Sequence, residues 1–344
     1  MRHFLRLFGW MFSLACILGA IAATVLGVVI WRFSEQLPDY SQLATYQPAV
    51  TTRIHAGDGS LLAEYSRERR LFLPNEAIPE RVKQAFIAAE DKNFYKHPGV
   101  DIEGVARAAV YFFKRESGKR PQGASTITQQ VAKNFLLSSE TSFSRKIKEM
   151  LVALRIEEAY SKERILELYL NEIYLGLSNY GVAAAALNYF GKGVNELTLP
   201  EVAYLAALPK GPNNYHPYRA HDAAIDRRNY VIDRMVENGF VSRDEGDRAK
   251  KAPLGVQLRQ VTPNTIAAGF FAEEVRRELA DKFGEKGLYE GGLSVRATLD
   301  PAMQVKARRA LVDGLVRYDE AHGFHGVVQQ LDLASGDWGQ LVAE

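Results

Sequence analysis

From Leu7 to Trp31 the chain carries no charged residue. A helix over that stretch, at about 1.5 Å per residue, reaches roughly 37 Å, enough to cross a bilayer at a tilt. This constrains all that follows, because the rest must then fold on one side of a membrane. The run continues past Ala20-Ile21-Ala22, a small-x-small site, and outlasts the apolar region of a signal peptide, so it is read as a retained anchor. Arg2 and Arg6 precede it, whereas Glu35 and Asp39 follow Arg32. The positive-inside rule therefore puts the N-terminus in the cytoplasm and the bulk outside. Cys16, the single cysteine, lies within the run. The exported part has no disulfide and depends on its core.

Periodicity divides the remainder. Residues 1–33 read as a cytoplasmic tail and anchor, 34–78 as a polar linker and β-hairpin region, 79–252 as a helical domain, and 253–344 as an α+β linker segment entering an incomplete further domain. Thr52 to Ala56 and Leu61 to Tyr65 flank Gly57-Asp58-Gly59-Ser60, a turn composition that predicts the hairpin. Val82, Phe86 and Ala89 fall at i, i+4 and i+7, which predicts a helix with Glu90 at its exit. Ser125 is the expected N-cap of a helix through Asn134. Ile147, Met150, Leu151 and Leu154 are the expected buried stripe of the next, and Ser161 starts another. Leu293 to Leu299 alternates as a strand, Asp300-Pro301 opens a helix through Val316, and Val327 to Val342 reads as two short strands. The fold class is mainly α.

Charge narrows the partners. A formal net charge of +2, from 43 Lys and Arg against 41 Asp and Glu, leaves no nucleic-acid footprint. Between Tyr111 and Glu149, however, eight basic residues face three acidic ones, a bias that favours lipid headgroups or a diphosphate. Val110-Tyr111-Phe112-Phe113-Lys114-Arg115 joins an apolar run to cations, as interfacial segments do, and breakers populate Glu116 to Gln122.

Three polar clusters lie between Glu90 and Glu149: Glu90-Asp91-Lys92-Asn93-Phe94-Tyr95-Lys96-His97-Pro98-Gly99, Gly123-Ala124-Ser125-Thr126-Ile127-Thr128-Gln129-Gln130, and Arg145-Lys146-Ile147-Lys148-Glu149. A sugar hydroxyl needs a carboxylate base to become a nucleophile, whereas a departing diphosphate needs fixed positive charge and hydrogen-bond donors. From the residues alone, Glu90 could equally be a solvated helix-end carboxylate. Glu149 could be an i, i+4 partner of Arg145, worth about 0.3–0.5 kcal/mol on an exposed helix.

Two further motifs follow, Lys162-Glu163-Arg164-Ile165-Leu166-Glu167-Leu168-Tyr169-Leu170-Asn171 and Arg227-Arg228-Asn229-Tyr230-Val231-Ile232-Asp233-Arg234-Met235. Taken in order, the five resemble the peptidoglycan glycosyltransferase domain of class A penicillin-binding proteins, the lysozyme-like murein polymerases, over about Pro79 to Met235. Ala124 departs from the family's commoner glycine. Tyr289 through Pro301 resembles the link to the transpeptidase domain of bifunctional members. The Ser-x-x-Lys, Ser-x-Asn and Lys-Thr-Gly motifs of that domain are not found, so peptide cross-linking is not expected of this chain.

The resemblance implies a lysozyme-like bilobal fold in which the 4-hydroxyl of an acceptor lipid II attacks the anomeric carbon of a growing lipid-linked glycan. The carbon inverts and the polyprenyl diphosphate leaves. By the same resemblance Glu90 is the catalytic base and Glu149 a second catalytic carboxylate near the diphosphate. Asp91 is an electrostatic neighbour of Glu90. Lys133, Arg145 and Lys146 bind the diphosphate, while Ser125, Thr128 and Gln130 supply neutral donors. Phe94, His97, Glu167 and Asn171 support the site, and Arg227 and Arg228 close the fold. The segment around Phe112 and Phe113 resembles a jaw that dips into the bilayer. Family members often use Mg2+ or Mn2+, yet no ligand set is legible, and His322-x-x-His325 lacks a third ligand. The implied partners are lipid II, the growing strand, the bilayer and cell-wall synthesis regulators. The implied location is the bacterial cytoplasmic membrane, crossed once, with the catalytic domain outside.

Two other functions compete. A membrane-anchored lysozyme-like lytic enzyme would use Glu90 as an acid, but it has no evident use for Lys133, Arg145 and Lys146. A non-catalytic scaffold would need neither carboxylates nor cations.

Overall fold

The computed structural model describes residues 2–34, 37–44, 51–66, 69–104, 106, 125–136, 143–258 and 263–323. The expected interfacial segment 110–115, the breaker-rich 116–122, Ala124, His325 and the strands at 327–342 lie outside them. In chain order the elements are α1 (Arg2–Ser34), β1 (Thr52–His55), β2 (Leu61–Tyr65), β3 (Arg69–Arg70), α2 (Glu80–Glu90), α3 (Ile127–Leu136), α4 (Phe143–Ala159), α5 (Lys162–Glu172) and β4 (Asn179–Tyr180). There follow α6 (Val182–Phe190), α7 (Leu199–Ala207), α8 (His221–Glu237), α9 (Arg243–Lys251), α10 (Pro263–Ala267), α11 (Gly269–Glu290), β5 (Ser294–Arg296) and α12 (Pro301–His322). The fold is mainly helical with little sheet.

The chain divides into two compact units, Met1–Thr52 with Tyr65–Gln260 and Glu285–Leu293, and Arg53–Glu64 with Val261–Gly284 and Ser294–Glu344. At the centre of the larger unit is α7. Apart from Glu201 in its first turn its residues are apolar all round, and Val202 to Ala207 are all buried, as a helix without a polar face must be. Thr198 and Glu201 open it with a capping box, Glu201 Oε2 accepting from the Thr198 N–H at 2.8 Å. Against α7 pack α2, through Val82 and Phe86, and α8, through Val231, Ile232 and Met235. Truncating a side chain such as Phe86, which is wholly buried, costs about 3–5 kcal/mol. Beside this group, α3 packs on α4 and α5.

Two short segments are strapped onto the helices, the first a 3-10 turn at Ser41–Leu43. Leu43 is 1 % exposed, and its carbonyl accepts from Arg164 Nη2 at 3.2 Å, while Tyr160 Oη donates to the Tyr40 carbonyl at 3.0 Å. This part of the expected polar linker is thus docked on the core. The second strap runs from β3, parallel to β4, into Leu73 and Asn75. Asn171 exchanges two hydrogen bonds with the Leu73 backbone, at 2.8 and 2.9 Å, and Glu167 Oε2 accepts from the Asn75 N–H at 2.7 Å. Arg70 pairs with Glu172 and lies 4.7 Å over the Tyr180 ring.

The expected buried stripe of α4 is corrected by the structure. Glu149, Val152, Ala153 and Ile156 face inward, while Ile147, Met150 and Leu151 are half-buried and Leu154 is 37 % exposed. Both faces of α4 carry apolar residues, and periodicity alone cannot rank them. α1 packs against this helix. Among the described residues no helix is long and apolar enough to cross a membrane.

In the smaller unit the order is β2-β1-β5, with β1 and β5 parallel and Ile54 opposite Val295. Ile54 and Leu62 are buried there. Asp300 caps α12 by accepting from the Met303 N–H at 3.0 Å, with Pro301 in the first turn.

Candidate active site

The first turn of α3 organises the site. Thr126, not Ser125, is its cap: Thr126 Oγ1 accepts from the Gln129 N–H at 3.1 Å and donates to the Gly99 carbonyl at 2.6 Å. Capping requires an oxygen three residues before the N–H it accepts, and Thr126 has that spacing. Ser125 Oγ instead donates to Gln129 Oε1 at 3.1 Å. The Ile127 N–H, at the positive end of the helix, donates to Asp91 Oδ2 at 3.0 Å. Asp91 is itself the residue at which α2 stops.

His97 Nε2 lies 3.0 Å from both oxygens of Asp91, and its Nδ1 accepts from the Gly99 N–H at 3.1 Å. Since Nδ1 accepts, the proton of the neutral ring is on Nε2 and points at Asp91. Gly99 has φ of +97°, and a Cβ there would lie 2.8 Å from the Ala153 carbonyl oxygen. Only glycine suits that turn. The fully buried Phe94 stacks edge-on against His97 and has Lys162 Nζ 4.5 Å above its ring. These contacts fix the backbone that presents Glu90.

Glu90 ends α2. Gln130 Nε2 donates to its Oε2 at 2.9 Å, and Arg227 Nη2 lies 4.0 Å from its Oε1. Burial pushes the Glu90 carboxyl above the ordinary carboxylate range, with the negative charge of Asp91 adding to the rise. The Gln130 bond and the positive charges of Arg227 and Lys210 oppose it. Arg227 is held 4.4 Å over the Tyr230 ring.

Glu149 forms a second centre on α4 and is 2 % exposed. Lys146 Nζ is 2.8 Å from its Oε2 and Arg145 Nε 3.3 Å from its Oε1. Lys146 also donates to Ser125 Oγ at 2.9 Å, and reaches Gln129 Oε1 at 3.4 Å. Consecutive residues of one helical turn therefore serve the two carboxylates: Gln130 holds Glu90, and Gln129 contacts the cation paired with Glu149. Two cations meet one carboxylate there, leaving a net positive centre suited to an anionic group.

The other candidates are placed differently. Thr128 is wholly buried and donates to Glu157 Oε1 at 2.5 Å, an oxygen it shares with Lys162. Lys133 is exposed on α3 and contacts neither Glu90 nor Glu149. Glu167 and Asn171 hold the Leu73–Asn75 strap. Arg228 is buried and donates to the carbonyls of Lys250, Ala252 and Pro253 at 2.7 to 3.2 Å, closing the end of α9. Sequence reasoning grouped Arg227 with it, yet neighbours on a helix diverge by about 100°, and Arg227 faces Glu90 instead. Gln129 and Lys210 were also missed. A polar residue adjoining a recognised one carries no sequence signal of its own. No group of three or more His, Cys, Asp or Glu among the described residues could hold a metal ion. Both oxygens of Glu149 already face cations, so the residues present do not fit a divalent ion.

The family model described as Transglycosylase matches residues 58–236. The chain is 43 % identical over 332 residues to penicillin-binding protein 1A of Rickettsia typhi, covering 96 % of this chain and 41 % of the relative. It is 41 % identical over 316 residues to penicillin-binding protein 1A of Escherichia coli K12, covering 91 % and 36 %. A 2.6 Å crystal structure of penicillin-binding protein 1A from Haemophilus influenzae matches 87 % of this chain and 34 % of that one, with a TM-score of 0.52 and 27 % identity. The chain thus spans roughly two fifths of the length of the curated relatives it matches.

Proposed function

The chain belongs to the transglycosylase family, and from that premise we propose that it is a peptidoglycan glycosyltransferase that polymerises lipid II. Glu90 takes the proton from the 4-hydroxyl of an acceptor sugar, whose oxygen attacks the anomeric carbon of the donor. The carbon inverts and the bond to the polyprenyl diphosphate breaks. Arg145 and Lys146 meet the charge that develops on the leaving group, with Glu149 holding both cations in place and Ser125 steadying Lys146. Two unit charges near 4 Å interact by about 4 kcal/mol at an effective dielectric of about 20. Each 1.36 kcal/mol realised only in the transition state is tenfold in rate. Lys133, exposed one turn beyond Gln130, is free to meet the same anion once substrate is bound. Asp91, His97 and Phe94 hold Glu90 in position, and Thr128, Glu167 and Asn171 hold the helices.

The observation that carries this reading is the pair of bonds made by Gln130 and Gln129, which fix a half-buried base and a cationic centre to one turn of α3. The lytic alternative fits less well. A hydrolase must protonate a sugar leaving group and has no evident use for the cationic centre that Arg145 and Lys146 form around Glu149.

The uncharged run from Leu7 to Trp31 supports an anchor as part of the proposal, although no helix meets the length and apolarity of a span among the described residues. Trp10 and Trp31 are 79 % and 65 % exposed on α1. At about 1.5 Å per residue they stand roughly 32 Å apart, the spacing of two bilayer interfaces, where tryptophan is favoured. The catalytic unit would then face the outer side of the cytoplasmic membrane, where lipid II is presented.

The test is incubation of the purified protein with labelled lipid II, and separately with polymerised glycan. Polymer from the first supports the proposal; cleavage of the second with no polymer from the first rejects it.

A further inference from the structure

Lys162 opens α5, and a cation in the first turn of a helix is disfavoured by the macrodipole. Its place is therefore set by contacts elsewhere. Lys162 Nζ donates to Glu157 Oε1 at 2.7 Å and to the His97 carbonyl at 2.8 Å, and it stands 4.5 Å over the Phe94 ring. The Lys162 and Glu157 side chains are 19 % and 8 % exposed, so the pair is largely out of the solvent that weakens surface ion pairs. An ammonium fans three donors around one nitrogen, whereas a guanidinium holds its donors in one plane. Lysine is the side chain that meets a carboxylate, a carbonyl and a ring face from one point.

Glu157, on α4, lies outside the five sequence motifs. Its Oε1 also accepts from Thr128 Oγ1 at 2.5 Å. A Cβ on Gly99 would lie 3.0 Å from the Glu157 Cγ, so the turn after α2 runs close against this side chain. One oxygen thus joins α3 to the cation that holds the turn. On one arm, the His97 ring donates to Asp91, the neighbour of Glu90. On the other, Thr128 stands two residues before Gln130, whose amide reaches Glu90. The brace acts at one remove on both members of the Glu90–Gln130 contact.

We propose that Lys162 and Glu157 form a positioning pair for the transfer step, holding Glu90 and Gln130 in register through the turn after α2 and through α3; the step itself rests on the polymerase reading. A reacting group misplaced by about 1 Å costs on the order of 10²-fold in rate. Loss of the pair therefore shows in kcat and leaves KM in place, because the groups that meet the diphosphate are held separately by Glu149.

The experiment uses the full chain in detergent micelles. Lys162→Met alone strands a shielded carboxylate and lowers stability. The decisive protein is Lys162→Met/Glu157→Gln, which removes both charges and leaves an amide oxygen for Thr128. It is expected to melt within about 5 °C of the wild type. Its kcat on lipid II falls about tenfold or more with KM unchanged, and the acid limb of its pH–rate profile moves to higher pH as Glu90 loses its amide donor. Lys162→Cys treated with 2-bromoethylamine, which rebuilds an ammonium side chain of lysine length, recovers the rate; the wild type, treated alike, controls for Cys16. A double variant with the wild-type kcat, a loss that lies wholly in KM, or an aminoethylated protein that stays slow overturns the pair. The Glu90 carboxyl is also titrated by 13C NMR, as the resonance lost in Glu90→Gln, which needs no lipid II. An unmoved midpoint in the double variant removes the pair. A raised midpoint, with no lipid II turnover by the wild type, would leave the pair standing and remove the polymerase reading instead.

Discussion

Gln130 Nε2 donates to Glu90 Oε2 across 2.9 Å, tying the end of α2 to the first turn of a helix forty residues later in the chain. Burial and this bond act on the Glu90 carboxyl in opposite directions: burial favours the neutral acid, and the amide donor favours the carboxylate.

Replacing Gln130 with Leu therefore raises the Glu90 pKa. A base works only when ionised, so activity falls as pH drops through that pKa, and the variant loses activity at a higher pH than the wild type. Initial rates of lipid II polymerisation between pH 5 and 9 measure it. An acid limb that stays in place or moves to lower pH would show that Glu90 is not the titrating base.

Glu90→Gln separates activity from stability. Loss of a general base costs about 10²–10⁴-fold in rate. In the fold the Glu90 pKa is raised, so its charged form opposes folding. That penalty is absent below the ordinary carboxylate pKa and grows as pH rises through the folded value. The variant is thus expected to melt higher than the wild type at pH 8, with the gap closing toward pH 4. Melting curves with no pH dependence in the gap would contradict the assignment of burial as the cause.

Asp91 accepts from two donors, the His97 ring and the Ile127 N–H. An Asn at 91 can still accept from both donors through an oxygen in the Oδ2 position, but it loses the charge and sets an NH2 group in the Oδ1 position, 3.0 Å from the His97 Nε2–H. Leaving a buried donor unsatisfied costs about 1–3 kcal/mol. Urea denaturation should register that loss for Asp91→Asn, and a variant as stable as the wild type would remove Asp91 as the joint between α2 and α3.

Tyr169 makes the opposite case. Its hydroxyl is buried and has no hydrogen-bond partner among the described residues, while its ring meets Phe86 edge-on at 6.2 Å. Burial, with the charges of Glu90 and Asp91 nearby, pushes the phenol well above its ordinary range and keeps it neutral. Tyr169→Phe keeps the ring contact and removes an unpaired polar atom, so stability should change by less than about 1 kcal/mol or increase. A loss above about 2 kcal/mol would reveal a partner for the hydroxyl.

The helices were legible where local chemistry decides them. Ser161 caps α5, accepting from the Arg164 N–H at 3.3 Å, and Asp300-Pro301 opens α12, both as their sequence signals indicate. Glu90 ends its helix as the Val82, Phe86 and Ala89 spacing requires. What escaped reading depends on distant partners. The docking of Leu43, with Leu37 and Tyr40 partly buried beside it, involves scattered apolar residues in a polar stretch, which has no period. The parallel pairing of β1 with β5 joins residues about 240 positions apart, and nothing in either strand names the other. In the site, Thr126 outcompetes Ser125 as the cap because the Gly99 carbonyl also engages it, a contact made by folding rather than by sequence.

Gln129 and Gln130 are adjacent in the chain and differ by a rotation of about 100° about α3. Their roles cannot be traded, since slipping the helix by one position would withdraw the amide from Glu90 and release Lys146 from Gln129 together. A compound that pries Thr126 away from Gly99 need not imitate a sugar or a diphosphate to act as an inhibitor. It would unseat the shared foundation, and restoring either half by a single compensating substitution would leave the other half disabled.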